Sequence, residues 1–313
     1  MTRSERITSL VVLGLLVLLP LITQDPYFLY VATGIFIWGV MATSLLLTIR
    51  VGIFNFGHVG FMSIGAYVST LLVTKAGFSF WFTLPIAAVA AAITAMLIGI
   101  PTLRLKGMYF VLVSFMWMLV VSYLIASFPN YSGGWYGISD IPAPRLLMID
   151  FSNKVAYYYL VLCFLVVAMF FLHRLWNSQI GKIYVAIRDN DSLSQSIGIP
   201  VTQYRAQSFI IASVFAALCG CFFAPLTAFI DPTMFTFHSA INVFLWMVIG
   251  GVYSIFGPLV GVAAAILIGE IFRFMLVLSP IVLGIIIIVI VLFLPEGIIS
   301  APQRVAKLLG KRK

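Results

Sequence analysis

The feature that most constrains this sequence is a succession of long apolar runs separated by short polar breaks. A helix that crosses the ~30 Å hydrocarbon core of a bilayer needs about 20 mainly apolar residues. Ten stretches approach that length: 7–22, 27–48, 51–73, 80–100, 108–126, 155–172, 206–229, 241–256, 259–277 and 281–294. The first, eighth and tenth are the shortest. Apolar types make up 63% of the 313 residues and charged types 9%, whereas soluble proteins are about 45–50% apolar and about 25% charged. A soluble fold could not hide the excess, since over half of an ordinary folded surface is already apolar. A soluble enzyme, a disordered chain and a coiled coil are thereby excluded. The expected fold is all-α, a polytopic helical membrane protein of about ten transmembrane helices forming one domain over 1–313.

Basic residues orient such a chain, because loops kept in the cytoplasm carry the excess of Lys and Arg. With the N-terminus inside, Arg3, Arg6, Arg50, Arg104, Lys106, Arg174, Lys182, Arg188, Arg205, Arg304, Lys307, Lys311, Arg312 and Lys313 fall on the cytoplasmic side. Lys75, Arg145 and Lys154 fall outside, and Arg273 lies within the ninth run. That asymmetry is expected of ten spans with both termini cytoplasmic; one span more or fewer midway would scramble it. It also accounts for the net charge of +9 without a nucleic-acid partner. Arg3 and Arg6 ahead of the first run resemble a signal peptide. The following Leu21-Ile22-Thr23-Gln24-Asp25-Pro26 lacks a small-residue cleavage pattern, so a retained span is expected. No G-x-x-x-x-G-K-[ST] occurs, so ATP that drives this chain would be bound by another polypeptide. Cys163, Cys219 and Cys221 all lie in apolar runs, without the spacing of a disulfide framework or zinc site.

Two loops are long enough to act. The outer one, 127–154, carries Gly133, Gly134 and Gly137 among Tyr131, Trp135 and Tyr136. Its glycines permit backbone shapes that other residues resist, and its aromatics suit the membrane interface. The inner one, 173–205, is the longest polar stretch. Residues 192–197 read as a short amphipathic helix capped by Asp189 or Asp191 and stopped by Gly198 ahead of Pro200. Such a segment is either a solvated loop or a docking surface that presents Leu193 and Ile197 to a cytoplasmic partner.

Polar groups inside the membrane need a reason to be there. Glu270 and Arg273, three apart, share a helix face and can pair, either as a structural ion pair or as part of a gate near the outer end. In the third run, Gly52, Gly57, Gly60 and Gly65 with Asn55, His58 and Ser63 make a poor lipid-facing helix. Irregular backbone at membrane depth is tolerated only inside protein or beside water. This stretch is expected to line a pathway or to be a broken helix beside one, with His58 read as either a pathway or a packing residue. Gly257, Gly261, Ala265 and Gly269 recur every fourth residue, the pattern of a tight helix contact. Gly250-Gly251 and Gly257-Pro258 bracket a very short inner turn. The Cys219-Gly220-Cys221 run reads as structural.

Taken together, these blocks resemble the branched-chain amino acid ABC transporter permease family, in its LivM type. Phe54-Asn55-Phe56-Gly57-His58-Val59-Gly60-Phe61 with Gly65-Ala66-Tyr67 is similar to the family's L-N-x-G-H-x-x-F…G-A-Y signature. Leu103-Arg104-Leu105-Lys106-Gly107-Met108-Tyr109-Phe110 resembles its L-R-L-x-G-x-Y-F block. Gly133-Gly134-x-x-Gly137 resembles its T-G-G-x-x-G, with Ser132 in place of Thr. Gly181…Ala186-Ile187-Arg188-Asp189-Asn190…Gly198-Ile199 is similar to the block that meets the ATPase. Ile249-Gly250-Gly251…Gly257-Pro258-x-x-Gly261 with Glu270-x-x-Arg273, then Leu294-Pro295-x-Gly297, resemble the closing blocks. They run in order over about residues 50 to 300. The family usually has paired Ala where Leu193 and Ser194 stand here.

The resemblance implies a permease subunit that binds no cofactor itself and is not an enzyme. It would sit in a bacterial or archaeal inner membrane. Its partners would be a homologous second permease, two cytoplasmic ATPase subunits that hydrolyse the ATP, and an extracytoplasmic substrate-binding protein. Asn55, Gly57, His58, Gly60 and Ser63 would line the pathway. Gly181, Arg188, Asp189, Leu193, Ile197 and Gly198 would couple to the ATPase, and Gly250, Gly251, Gly257, Gly261, Gly269, Glu270 and Arg273 would serve packing. Urea, short amides or other amino acids remain open as cargo. An ion-coupled transporter would need further intramembrane acids beside Glu270, and an embedded enzyme would need a catalytic set that the three scattered histidines do not supply.

Overall fold

The computed structural model describes residues 14–21, 23–105, 107–146, 149–273 and 297–300, with Gly284, Ile288 and Leu292. Helices dominate these residues. They are α1 (Pro26–Arg50), α2 (His58–Thr74), α3 (Phe80–Thr102), α4 (Met108–Ala126), α5 (Lys154–Trp176), α6 (Gln179–Asp189), α7 (Asp191–Ser196), α8 (Val201–Thr227), α9 (Phe237–Gly250) and α10 (Gly257–Ile271). Among the described residues α1, α3, α4, α5 and α8 are long and apolar enough to cross a membrane. The protein is a multi-pass helical membrane protein.

The third, eighth and ninth apolar runs hold helices shorter than the runs themselves. They yield helices of 17, 14 and 15 residues, about 26, 21 and 22 Å long at a rise of 1.5 Å per residue. The third run loses its first turns because Gly52, at φ +85°, ends α1. Gly52 N–H donates to the Ile49 carbonyl at 3.0 Å and Ile53 N–H to the Thr48 carbonyl at 2.8 Å, the bond pair of a Schellman stop. In the ninth, α10 closes at Ile271 with Phe272 as its C-cap, and residues 274–277 lie outside the described residues. Arg273, expected inside that run, follows the helix. The seventh begins early, at Val201, which places Arg205 within α8. The first run falls mostly outside the described residues, though 14–21 are helical, and the tenth falls outside them except at Gly284, Ile288 and Leu292.

Polar residues just ahead of the apolar runs cap α1 and α5. Asp25 Oδ1 accepts from Tyr27 N–H at 2.9 Å before Pro26 opens α1, and Asn153 Oδ1 does the same for Val155 N–H and α5. Such caps satisfy N–H groups that the first turn leaves unpaired.

The central helices are α1 and α8. The second of these packs on α1, α2 and α3, while α1 also holds α5 and α10. Small residues let the backbones approach. On α3, Ala87, Ala91, Ala95 and Gly99 are buried, whereas Val89, Ile93 and Leu97 are exposed, as a one-sided helix facing lipid requires. A side chain at Gly65 of α2 would overlap the Ala217 carbonyl oxygen of α8, and one at Gly220 would overlap the Met62 carbonyl oxygen. Cys219 and Cys221 flank that crossing, both buried, with the Cys221 thiol 3.4 Å from the Gly65 carbonyl.

Arg50, Arg104, Arg174, Lys182, Arg188 and Arg205 gather at one end of the bundle, called here the basic end. At the opposite end β1 (Ile138–Ser139) pairs antiparallel with β4 (Phe229–Ile230), and β2 (Arg145–Leu146) with β3 (Ile149–Asp150). The first pair ties the 127–154 loop to the α8–α9 connection. It needs Gly137, at φ +75°, because a side chain there would overlap the Ile230 carbonyl oxygen.

Candidate functional site

Between α1 and α2 the backbone runs without helical structure from Val51 to Gly57, yet the stretch is mostly buried. His58, which opens α2, lies beside Ser44, about 9 Å up from the end of α1 at 1.5 Å per residue. Its Nε2 is 2.9 Å from Ser44 Oγ and 3.3 Å from the Met41 carbonyl. Because the Ser44 hydroxyl already donates to Met41 at 2.8 Å, the serine oxygen is left to accept from Nε2–H. The segment therefore climbs back into the bundle rather than crossing at its rim. Phe56 N–H donates to Ser114 Oγ of α4 at 3.2 Å. Side chains at Gly57 and Gly60 would press on the Ser114 carbonyl oxygen and on Met118 Cα at 2.5 and 3.2 Å. Gly57, His58 and Gly60 are thus placed at contacts with neighbouring helices.

Asn55 and Ser63 stand differently. Asn55 is 3% exposed and Ser63 is fully buried, and the polar atoms of both lack a hydrogen-bond partner among the described residues. Tyr67 OH and Thr70 Oγ1 share that condition. Leaving such a group dry and unpaired costs about 1–3 kcal/mol each. Tyr67 and Thr70 were not singled out from the sequence. Their spacing of four and seven residues from Ser63 was the available signal, since it places all three on one face of α2.

The segment expected to couple to a partner is two helices, α6 and α7, at the basic end. Ser178 Oγ caps α6 by accepting from Gly181 N–H at 3.2 Å, and a side chain at Gly181 would collide with the carbonyl oxygens that close α5. Tyr184 and Ile187 are fully buried, and burial, with Tyr204 adjacent, raises the Tyr184 phenol above its ordinary pKa. Arg188 pairs with Asp189 at 3.0 Å, while its Cα lies 3.6 Å from where a Gly52 side chain would begin.

The expected caps of the second helix are corrected by the structure. Asn190 is the cap, its Oδ1 accepting from Leu193 N–H at 3.0 Å. Asp191 instead meets Arg205 of α8, with Nη2 at 2.8 and 2.7 Å from its two carboxylate oxygens. Gly198, at φ +87°, does end the helix. Its N–H donates to Gln195 at 3.0 Å and Ile199 N–H to Ser194 at 3.0 Å, a second Schellman stop. Leu193 and Ile197 are 61% and 68% exposed. Asp191 and Arg205 also face a cleft of about 200 Å³ whose other walls include Gly52, Phe54, Leu103 and Gly107.

In the third predicted group, Gly250, Gly257 and Gly261 sit where the backbones of α9 and α10 touch. Side chains there would overlap the carbonyl oxygens of Gly257, Gly251 and Trp246 respectively. Gly297, at φ +84°, approaches Gly251 Cα just as closely. Gly269 is half-buried. Glu270 and Arg273 pair at 3.7 Å, with the Tyr27 hydroxyl between them donating to Glu270 and accepting from Arg273. The Glu270 and Arg273 side chains are 34% and 66% exposed. The expected pair thus forms, and Tyr27 at the start of α1 joins it to make a latch with the end of α10.

The family described as branched-chain amino acid transport system / permease component matches residues 27–291. The chain is 28% identical over 302 residues to the high-affinity branched-chain amino acid transport system permease protein LivM of Salmonella typhimurium, covering 89% of this chain and 71% of that protein. It is 29% identical, with the same coverage, to the protein of that name from Escherichia coli. A probable branched-chain amino acid transport permease protein LivM of Methanocaldococcus jannaschii is 24% identical over 238 residues, 68% of this chain and 67% of that protein. No solved structure matches the chain. On the extent of the family match, this chain belongs to the branched-chain amino acid transport system permease family.

Proposed function

We propose that this permease is one of two membrane-spanning subunits of an ABC importer for branched-chain amino acids in a bacterial or archaeal inner membrane. It pairs with a homologous permease, two cytoplasmic ATPase subunits and an extracytoplasmic binding protein that delivers the substrate. The basic end then faces the cytoplasm, as the positive-inside rule requires, with ten spans and both termini inside. The observation that carries this reading is the α6–α7 segment. Leu193 of α7 and its C-cap Ile197 form an exposed apolar face on a segment held by Asp191–Arg205 and, through α6, by the buried Tyr184 and Ile187.

A force applied to Leu193 and Ile197 passes through Arg205 to α8, the helix against which α1, α2 and α3 pack. Closure of the two ATPases on ATP would therefore tilt the central helices and alternate access between the two faces. Selectivity would rest mainly with the binding protein. The Glu270–Arg273–Tyr27 latch pairs Glu270, the acid that an ion-coupled mechanism would call on.

A mild-detergent pull-down of the tagged chain from its native membrane, with mass spectrometry and an ATPase assay, tests the assembly. Co-purification of a second permease and P-loop ATPases, with leucine uptake that needs ATP in proteoliposomes, is the expected result. Uptake by this chain alone, driven by an ion gradient, would overturn it.

A further inference from the structure

Six neutral polar atoms on and just below α2 are buried without a protein partner among the described residues: Asn55 Oδ1 and Nδ2, His58 Nδ1, Ser63 Oγ, Tyr67 OH and Thr70 Oγ1. Ser63, Tyr67 and Thr70 stand above one another on one helix face. Neighbouring hydroxyls show that this is not the rule within the bundle. Ser44, Thr48, Ser69 and Ser213 each donate to a carbonyl within 3.1 Å. A run of unpaired groups on one face is costly unless another state of the molecule supplies their partners.

Aromatic contacts lie along the run. The Tyr67 ring lies 6.5 Å from that of Phe235 toward the end opposite the basic one. Toward the basic end, Phe56 lies 6.3 Å from Phe237 and 5.5 Å from Phe244. The polar residues buried among those described are Ser, Thr, Asn and His, with no Asp, Glu, Lys or Arg. Hydroxyl and amide groups donate and accept, so they can meet both an ammonium and a carboxylate. The one carboxylate that acts on Tyr67 among the described residues, Asp231, already accepts from the N–H groups of Thr233 and Met234, so a net ion would keep much of its desolvation cost.

We propose that the α2 face of Ser63, Tyr67 and Thr70, continued by Asn55, is the surface this subunit offers to a solute of zero net charge. The Tyr67–Phe235 and Phe56–Phe237 contacts lie along it. The assignment rests on the importer reading above and deepens it. It moves the pathway away from Gly57 and Gly60, which press on α4, and extends it to Tyr67 and Thr70.

The test uses the assembled importer in proteoliposomes, with leucine as the solute. Ser63→Cys, Thr70→Cys and, as a control, Ser213→Cys are exposed to a small water-soluble thiol reagent, and labelling is read peptide by peptide. Positions 63 and 70 are expected to label at least about tenfold faster in one nucleotide state than in the other. Leucine-loaded binding protein should slow that labelling, and position 213 should stay unlabelled. Labelling at 63 and 70 as slow as at 213 in every nucleotide state, in a preparation that imports leucine, would overturn the assignment while leaving the importer reading standing. Failure of the unmodified, fully assembled complex to import leucine would overturn the importer reading itself. Tyr67→Phe keeps the ring against Phe235 and removes only the hydroxyl. It should lower leucine imported per ATP hydrolysed by about three- to tenfold, the effect of one lost hydrogen bond; a ratio equal to that of the unmodified complex would count against the surface.

Discussion

Glycine does opposite work in the bundle interior and in the α6–α7 segment. At Gly65 and Gly220 the backbone is ordinary helix, and what matters is space, because the facing helix leaves no room for a side chain. At Gly198 nothing lies within 4 Å of where a side chain would begin, and what matters is φ +87°. The interior is thus specified by contact across helices and the segment by local backbone conformation. Damage to the first should be felt in whether the protein assembles. Damage to the second should be felt in what the assembled protein does.

Gly65→Val gives the largest expected effect. The added side chain overlaps the Ala217 backbone, which cannot rotate away as a side-chain tip could, and overpacking of this kind costs about 3 kcal/mol or more. The expected outcome is loss of folded protein in a detergent size-exclusion profile. Gly220→Val, from the other side of the same crossing, should do the same. Normal yields of either would mean that the two helices are not held at this distance.

Gly198→Pro comes next and separates the two regions. Proline fixes φ near −65° and removes the N–H that donates to Gln195, so the stop that sets the exit of α7 is lost. The protein should insert and purify normally but fail to couple ATP hydrolysis to uptake. Gly198→Asn, which tolerates the left-handed region, should keep most of the coupling. Normal uptake by a stably assembled Gly198→Pro variant would break the distinction between the regions.

Charge sharpens the same contrast. Asp191 and Arg205 are 23% and 15% exposed in their side chains, against 34% and 66% for Glu270 and Arg273. Removing one member of a largely buried pair strands the other charge, whereas an exposed pair is worth about 0–1 kcal/mol. Arg205→Met should therefore lower thermal stability more than the double change Asp191→Asn with Arg205→Met. Arg273→Met should lie within about 1 kcal/mol of its own double change with Glu270→Gln. Melting curves of the four variants decide this. A large excess penalty for Arg273→Met would place that pair in a drier setting than the latch affords.

The spans were legible in the sequence where hydropathy alone decides, as in α1, α3, α4, α5 and α8. Windowed hydropathy could not show that the backbone from Val51 to Gly57 leaves the helix, since Val, Ile and Phe are as apolar in an irregular segment as in a regular one. The stop signal was present in Gly52 just after Arg50, but an apolar run on both sides hid it. At the second helix of the coupling segment, Asp189, Asn190 and Asp191 are all capable caps. Arg205, fourteen residues on, decides among them by taking Asp191. That Tyr27 joins Glu270 and Arg273 had no local marker, because it lies more than 240 residues away in the chain. The stripe at Ser63, Tyr67 and Thr70 was readable only as spacing, and tyrosine among apolar neighbours passes for a core residue.

The smallest effect belongs to the loop at the far end, where neither space nor burial operates. Asp150 Oδ1 accepts from the hydroxyl and the N–H of Ser152, at 2.6 and 2.9 Å. With Arg145 at 3.6 Å, these bonds hold the carboxyl below its usual range, the Ser152 bonds contributing most. A depressed folded pKa favours the folded loop above the unfolded value, about 3.9, and that contribution is lost as pH falls through the folded value. Amide exchange in the β2–β3 pair, residues 145–150, should therefore accelerate only in acid, after correction for intrinsic rates. Asp150→Asn should flatten this dependence, with the α6–α7 amides unaffected. Equal acid sensitivity in both places would show that the two ends of the bundle are not independent.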